Sequence, residues 1–378
     1  MASPAAPPSG PKVVDLFSGA GGLSLGAARA GFAVCGAIEN DKRARDTHAL
    51  NFPDSLHLQE DIATLNGQRV RRAFGLNGEL AGVIGGPPCQ GFSYIGRNTS
   101  DDPRNMLFSH FFRLVAELQP RFFLAENVPG ILHTRNDALR IQAVEQIRES
   151  YDAFGPMTIR AHEYGAPTTR ARVFFFGCKR SDALKLTVGD FESAAVKSRV
   201  TVGRALRGLP IRIDPEWQAE DEGWRLVEAE GSGYYDERLH GHTPAGVGDA
   251  IALAKLRKEG RASGCLGTIH TKHVVDRFAA VKRGKRDSVS KAQRLDPESY
   301  CPTLRAGTGP EHGSYQAVRP IHPTQDRVIT PREAARLQGF PDWFRFAPDK
   351  WHSFQQIGNS VSPIVAERLL TVILDALG

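Results

Sequence analysis

Cys89 stands in Gly85-Gly86-Pro87-Pro88-Cys89-Gln90-Gly91-Phe92-Ser93, directly after the short apolar run 81–84. A thiol at the carboxyl end of a parallel strand lies where open α/β sheets present reactive groups. Prolines stiffen such a loop, and glycines let a substrate come close to its backbone. The chemistry on offer is nucleophilic, because a thiolate adds to an electron-poor carbon and can leave again. Glu126 supplies a second group. It follows Phe122-Phe123-Leu124-Ala125 and opens Glu126-Asn127-Val128-Pro129, so it is expected at the tip of the neighbouring strand, beside Cys89. That apolar approach should desolvate the carboxyl and favour its protonated form.

A third cluster has the residue types of a nucleoside site. Ser18-Gly19-Ala20-Gly21-Gly22 joins a strand to a helix through a glycine-rich turn that a ligand can approach closely. Glu39 comes at the end of the next strand, where a carboxylate can accept both ribose hydroxyls. Asp61-Ile62 follows the next strand position, with an acid for an adenine amino group and an apolar side chain for the ring. The glycine spacing departs from G-x-G-x-x-G, which favours a nucleoside cofactor without a pyrophosphate over NAD.

The elements that must position these groups alternate as in a doubly wound α/β fold. Strands are predicted over 12–17, 32–38, 81–84, 121–125 and 172–177, with helices over 21–30, ended by Gly31, and 106–118. From about 181 to 320 glycine, proline and charge dominate, which predicts a smaller, loop-rich second module. Order returns at Thr330, an N-cap with Pro331 in the first turn and Glu333 three residues on, and in a closing amphipathic helix over 362–377. The divisions expected are a disordered leader over 1–10, a catalytic domain over 11–185, a second domain over 186–345, and a segment over 346–378 that returns to the first.

The 378 residues are 41% hydrophobic with a net charge of +6, enough apolar material for a core and a mild bias toward a polyanionic partner. Charge is uneven: nine acids face one base between 214 and 237, whereas eight Lys or Arg face two Asp between 272 and 294. Five scattered cysteines without a C-x-x-C pair argue against disulfides and structural zinc, and no apolar run is long enough to span a membrane. The expectation is a cytoplasmic protein.

Six segments run in the order of the DNA cytosine-5 methyltransferase motifs, and the chain resembles that family from Asp15 to Val361. They are Asp15-Leu-Phe-Ser-Gly-Ala-Gly-Gly, Gly86-Pro-Pro-Cys-Gln-Gly-Phe-Ser, Glu126-Asn-Val, Tyr164-Gly-Ala-Pro-Thr-Thr-Arg-Ala-Arg, Arg332-Glu-Ala-Ala-Arg-Leu-Gln-Gly-Phe-Pro-Asp and Gln356-Ile-Gly-Asn-Ser-Val. The resemblance implies a Rossmann-like S-adenosyl-L-methionine-dependent domain beside a target-recognition domain, with S-adenosyl-L-homocysteine as product and no metal. Cys89 would add to C6 of a flipped-out cytosine, Glu126 would hold or protonate N3, and Arg172 with Arg170 would fix the base and Glu126. Phe17, Ser18, Gly19, Gly21, Gly22, Glu39, Asn40, Asp61, Ile62, Pro87, Leu107, Asn359 and Val361 would make the cofactor site. Asn40 departs from the family, many of whose members carry an adenine-stacking Trp there, and Thr168 stands where many have Gln.

On the DNA side the resemblance places Gln90, Ser93 and Arg97 in the loop that follows Cys89. The stretch around 181–300, which the motifs leave uncovered, has the position of the target-recognition region. There His270, Lys272, His273, Arg277, Lys282, Arg283, Lys285 and Arg286 are candidates for phosphate contacts. Thr303 and Arg305, around Leu304, resemble the Thr-Leu element that ends this region in relatives. The implied partner is double-stranded DNA, bound by a monomer in the bacterial nucleoid, with a cognate restriction endonuclease acting separately. The Cys-Phe-Thr element of the tRNA-directed branch is absent from this region.

Overall fold

The computed structural model describes residues 10–88, 106–182, 184–196, 198–213, 222–306 and 319–378. Cys89, Gln90, Gly91, Phe92, Ser93 and Arg97 lie outside the described residues, as does most of the predicted leader.

The first half alternates as its apolar runs require. In chain order it reads β1 (Lys12–Leu16), α1 (Gly22–Ala30), β2 (Ala33–Ile38), α2 (Lys42–Asn51), β3 (Leu56–Leu58), α3 (Gly67–Ala73) and β4 (Gly82–Gly85). There follow α4 (Met106–Leu118), β5 (Phe122–Asn127), α5 (Asp137–Glu145), β6 (Tyr151–Arg160) and β7 (Ala171–Lys179). They form one seven-stranded sheet in the order β3-β2-β1-β4-β5-β7-β6. The neighbours from β3 to β5 pair in parallel, while β7 runs antiparallel to both β5 and β6. Successive residues serve opposite faces, as strand geometry demands: Val13, Phe122 and Leu124 enter one core, and Val14, Phe123 and Ala125 the other.

This winding fixes the site. The chain steps outward from β1 to β3, then returns to lay β4 on the other side of β1. Connections diverge there, which opens a crevice beyond the carboxyl ends of β1 and β4. Both turns named from the sequence, 18–22 after β1 and the Pro87-Pro88 segment after β4, begin at that crevice.

Beyond β7 the elements shorten to α6 (Val188–Ser193), α7 (Val202–Leu206), β8 (Arg225–Leu226), α8 (Tyr234–His240), α9 (Ala250–Glu259), β9 (Arg261–Ala262) and α10 (Lys272–Ala279). The chain closes with α11 (Pro331–Gln338), α12 (Lys350–Asn359) and α13 (Pro363–Leu377). The main core does not divide at 185 or 345: Val202, Ala205, Tyr235, Leu239, Phe340 and Phe344 share it with Val13, Leu25 and Leu369. Two satellite clusters, Leu209-Val227-Ala262 and Phe278-Ala292-Ile321, belong to the intervening region alone.

The Thr330 cap forms as its sequence predicts, with the reciprocal Glu333 bond of a capping box. All eight residues of α11 are buried, although half of them are polar or charged. Arg332 donates to the carbonyls of Ser263, Pro341 and Phe344, and Arg336 pairs with Asp342, so each buried cation is satisfied.

Helix α13 packs on α1 at a glycine. A Cβ on Gly26 would stand 2.2 Å from Ala366 Cβ and 2.6 Å from the Glu367 amide nitrogen. Alanine has the better helix propensity by about 1 kcal/mol, yet the backbone it meets cannot step aside cheaply. Gly26→Ala is therefore expected to destabilise the fold by about 1–3 kcal/mol in urea denaturation. A variant as stable as the parent would contradict this close approach.

Candidate active site at the carboxyl edge of the sheet

The turn after β1 is strained and held from several sides. Phe17 adopts φ 61, a left-handed conformation rare for a non-glycine residue, which ends β1 one residue before the predicted limit. Glycine takes the next such positions, Gly19 at φ 54 and Gly21 at φ 103. The Glu39 carboxylate accepts the Gly19 amide through Oε2 at 2.9 Å and the Asp41 amide through Oε1 at 2.8 Å. Each oxygen keeps a further lone pair for hydroxyl donors. Burial raises the Glu39 pKa against the lowering by these amides.

Two observations fit this cradle to a polar ligand. Among the described residues, a Cβ on Gly19 would meet nothing within 4 Å, so the turn opens outward, and the buried Ser18 hydroxyl has no hydrogen-bond partner. Phe17, Ile62 and Leu107 belong to the same apolar cluster, Ile62 buried within it and the other two half-buried against it. Asp61 is exposed and its Oδ1 accepts the Ala63 amide at 2.9 Å, while Asn40 is exposed. From the far end of the chain, the Val361 carbonyl closes over Gly22, where a Cβ would stand 2.3 Å from it. The glycine turn and the 359–361 segment are thus brought together as the order of motifs implied.

Beneath the turn runs a buried polar chain that sequence reasoning missed. Ser24 Oγ donates to Asp15 Oδ2 at 2.6 Å and meets His48 Nε2 at 2.9 Å, and His48 Nδ1 lies 2.8 Å from His57 Nε2. Burial pushes the Asp15 carboxyl up to about 7, with Glu39 adding repulsion and the Ser24 bond opposing. Burial likewise holds His48 well below its ordinary value, so it is neutral at pH 7. The only sequence signal was Asp15 itself, a charged residue inside a strand otherwise buried on both faces.

The second half of the crevice is acidic and basic at once. Glu126, 7% exposed, is the last residue but one of β5, and Arg172 Nε of β7 lies 2.6 Å from its Oε1. The approach is off the axis of an ideal hydrogen bond, so charge more than direction carries the contact. Antiparallel pairing explains the meeting: Asn127 lies opposite Val173, which sets Arg172 just past the end of β5. Burial raises the Glu126 pKa, and Arg172 and then Arg170 lower it, with the upward direction prevailing. A Cβ on Gly86 would stand 3.0 Å from Glu126 Oε2, so a side chain here would press on the carboxylate. Asn127 Nδ2 donates to the buried Pro87 carbonyl at 3.3 Å, which ties the strand after Glu126 to the start of the cysteine loop.

Arg170 adds its charge to that of Arg172 on Glu126 and has backbone partners as well. It is 2% exposed and donates to the Leu304 carbonyl at 3.1 Å and the Asn359 carbonyl at 3.3 Å. It joins β7 to the Thr303–Arg305 segment and to the end of α12. Thr168 and Cys301 pair as an isolated bridge, and Gly358 abuts the Arg305–Ala306 backbone, so the Thr-Leu element lies along the catalytic edge. Thr303 and Arg305 are exposed there.

In the basic segment, Lys272, His273, Lys282, Arg283, Lys285 and Arg286 are exposed. Arg277 is engaged inside the protein, its Nε 2.9 Å from Asp287 Oδ1, and His270 accepts the Val328 amide. Each of these two thus has a partner within the protein that the local sequence does not reveal. Among the described residues no three His, Cys, Asp or Glu side chains are grouped to hold a metal ion, and no helix is long and apolar enough to cross a membrane.

Residues 11–375 match the family model for C-5 cytosine-specific DNA methylases. The chain is 36% identical to the type II methyltransferase M.XorII of Xanthomonas oryzae pv. oryzae, covering 96% of this chain and 84% of that one. It is 33% identical to M.DdeI of Desulfomicrobium norvegicum, over 94% and 87% of the two chains. Among solved structures, a prophage-encoded E. coli protein assigned as a DNA modification methyltransferase superposes with a TM-score of 0.88 at 50% identity, over 97% and 99% of the chains. The S. pombe Dnmt2 methyltransferase shares the fold, with a TM-score of 0.63 at 16% identity over 97% and 99% of the chains.

The burial of Asp15 makes the edge of the sheet respond to pH. A carboxyl whose folded pKa is raised stabilises the fold fully below its unfolded value and loses that contribution as pH rises through the folded value. For Asp15 the window runs from 3.8 to about 7. Asp15→Asn cannot ionise, so its stability relative to the parent is expected to rise across that window by roughly 1–3 kcal/mol and level off above it. Urea denaturation of both proteins from pH 5 to pH 8 reads this difference. A constant difference would show that Asp15 ionises in the fold as freely as outside it.

Proposed function

The chain belongs to the C-5 cytosine-specific DNA methylase family, and from that premise we propose that it methylates C5 of a cytosine within a specific double-stranded DNA sequence. In this reading S-adenosylmethionine is the methyl donor, Cys89 forms a covalent bond to C6, and the target base is flipped out of the duplex. The observation that carries the reading is the buried Glu126–Arg172 pair, one strand away from the glycine turn and tied through Asn127 to the base of the cysteine loop.

Cytosine C5 is too weak a nucleophile to take a methyl group unaided. Attack of the Cys89 thiolate on C6 forms the sulfur–carbon bond and moves the ring π electrons toward C5 and N3. Glu126 meets that shift at N3. Its desolvated carboxyl favours the protonated form, so it donates as electron density arrives, and Arg172 stabilises the carboxylate left behind. S-adenosylmethionine supplies, when bound, a methyl group activated by its sulfonium. Loss of the C5 proton to water then returns the electron pair to the C5–C6 bond and expels the Cys89 thiolate. Arg170 acts as a positioning residue, since it holds the recognition segment and the Asn359 carbonyl against β7.

The nucleoside end fits the turn. Glu39 has lone pairs left for the two ribose hydroxyls, Ser18 Oγ is an unused donor, and Phe17, Ile62 and Leu107 offer an apolar surface to the adenine. Asp61, Gly21, Gly22 and Val361 complete that site. None of the reacting atoms is accessible within a paired duplex, which is why the base must leave the stack. The exposed cations Lys272, Lys282, Arg283, Lys285 and Arg286 serve the DNA backbone, with Gln90, Ser93 and Arg97 of the catalytic loop near the flipped nucleotide. The site of action is the cytoplasmic DNA of a bacterium.

A mechanism-based trap tests the covalent step. Fluorine at C5 cannot depart as the proton does, so duplexes with 5-fluorocytosine at the target are expected to stay attached to the enzyme in the presence of S-adenosylmethionine. Denaturing electrophoresis should show that band for the parent and none for Cys89→Ser, whose hydroxyl is scarcely ionised at neutral pH. An enzyme that methylates ordinary DNA yet never forms the band would refute the role given to Cys89.

A further inference from the structure

Residues 284–294 form a narrow hairpin-like ribbon whose tip has no part in the chemistry proposed above. Gly284 N donates to the Arg294 carbonyl at 2.9 Å, Arg294 N to Lys285 at 2.9 Å and Asp287 N to Ala292 at 2.8 Å. Arg286 and Gln293 face each other as an antiparallel bridge. The ribbon springs from the satellite core of Phe278, Ala292 and Ile321 and is stitched to it by the Leu295 amide, which donates to Ile321 at 2.9 Å.

Its tip is rigid for an exposed turn. Asp287, 1% exposed, accepts Arg277 Nε at 2.9 Å and both the amide and hydroxyl of Ser290 at 2.6 Å. Lys291 closes the turn in a left-handed conformation at φ 62. The tip that this scaffold presents is Ser288 and Val289, both exposed, with Val289 at 67%. Lys285 and Arg286 lie on the arm that leads to it and Lys282 and Arg283 at the ribbon's base, all exposed and without an ion-pair partner among the described residues.

A single exposed valine needs no explanation by itself. A valine held at the apex of a braced ribbon that carries exposed cations on one arm and at its base has the form of a groove reader. The major groove is wide enough for a two-stranded ribbon, its walls are phosphates, and the apolar group on its floor is the thymine methyl. A protein partner would call for a broader apolar patch and some acidic complement to these cations. Phosphate alone would leave the valine without a role.

Resting on the DNA-methylating reading above, we propose that the 284–294 ribbon enters the major groove and that Val289 selects a T·A pair of the recognition sequence through the thymine C5 methyl. Lys282, Arg283, Lys285 and Arg286 hold the flanking phosphates, and Ser288 supplies a hydroxyl to an adjacent base edge. Val289 is thus a specificity-determining residue, remote from the transfer itself.

The test compares methylation rates on duplexes that carry thymine or deoxyuridine at each thymine of the sequence the parent enzyme modifies. Deoxyuridine keeps the pairing edge and removes only the methyl. The parent is expected to lose about tenfold in rate at one position on that exchange. Val289→Ala, whose exposed site leaves folding and melting temperature unchanged, is expected to treat the two bases alike there while keeping its preference elsewhere. Full discrimination retained by Val289→Ala, or no thymine whose methyl matters to the parent, overturns the proposal. A parent enzyme that methylates no DNA would overturn the functional reading itself, and this inference with it.

Discussion

A carboxyl group kept from water at the end of β5 is the constraint around which the site is arranged. Glu126 is buried against the fold's own preference for solvated charge, and among the described residues Arg172 at 2.6 Å and then Arg170 oppose that burial. Removing either the apolar strand or the arginine would change its protonation. Much of the nearby sequence is intelligible as a consequence. A side chain at Gly86 would press on the carboxylate, and the antiparallel run of β7 sets Arg172 at the strand end.

The cofactor half obeys a related rule. A strained Phe17, two left-handed glycines and Glu39 shape a turn whose backbone is exposed to a ligand, and the 359–361 segment closes it from more than three hundred residues away. The tight contact of α13 with α1 makes that closure possible, since α12 and α13 carry the segment into place. Strain at the turn is thus held by packing elsewhere, which is how a fold maintains an unfavourable backbone at a site of function.

Local signals made part of this readable in advance. Glycines after an apolar run and a glutamate one strand later announce themselves within a few residues, and they fall at the crevice that the winding creates. The strand β6 was not legible: its burial alternates irregularly around Gly155-Pro156, so no clean period appears. Nor was the depth of α11, a helix rich in charge that is wholly buried. Its solvation comes from carbonyls at 263, 341 and 344 and from Asp342, partners that hydropathy along the chain does not reveal. The inward partners of Arg170 and Arg277 were hidden for the same reason, because a cation's partner is a fact of tertiary structure. The chain from Asp15 to His57 was invisible, since serine and histidine carry no local mark of sharing a proton path.

What unites the two halves is a claim about DNA, and it is tested most directly in DNA itself. Bisulfite sequencing of the genome of a methylation-free host that expresses this chain should show cytosines protected from conversion within one short sequence, and protection should vanish with Glu126→Ala. Conversion of every cytosine by a folded, expressed protein, or protection that persists without the Glu126 carboxyl, would contradict the account.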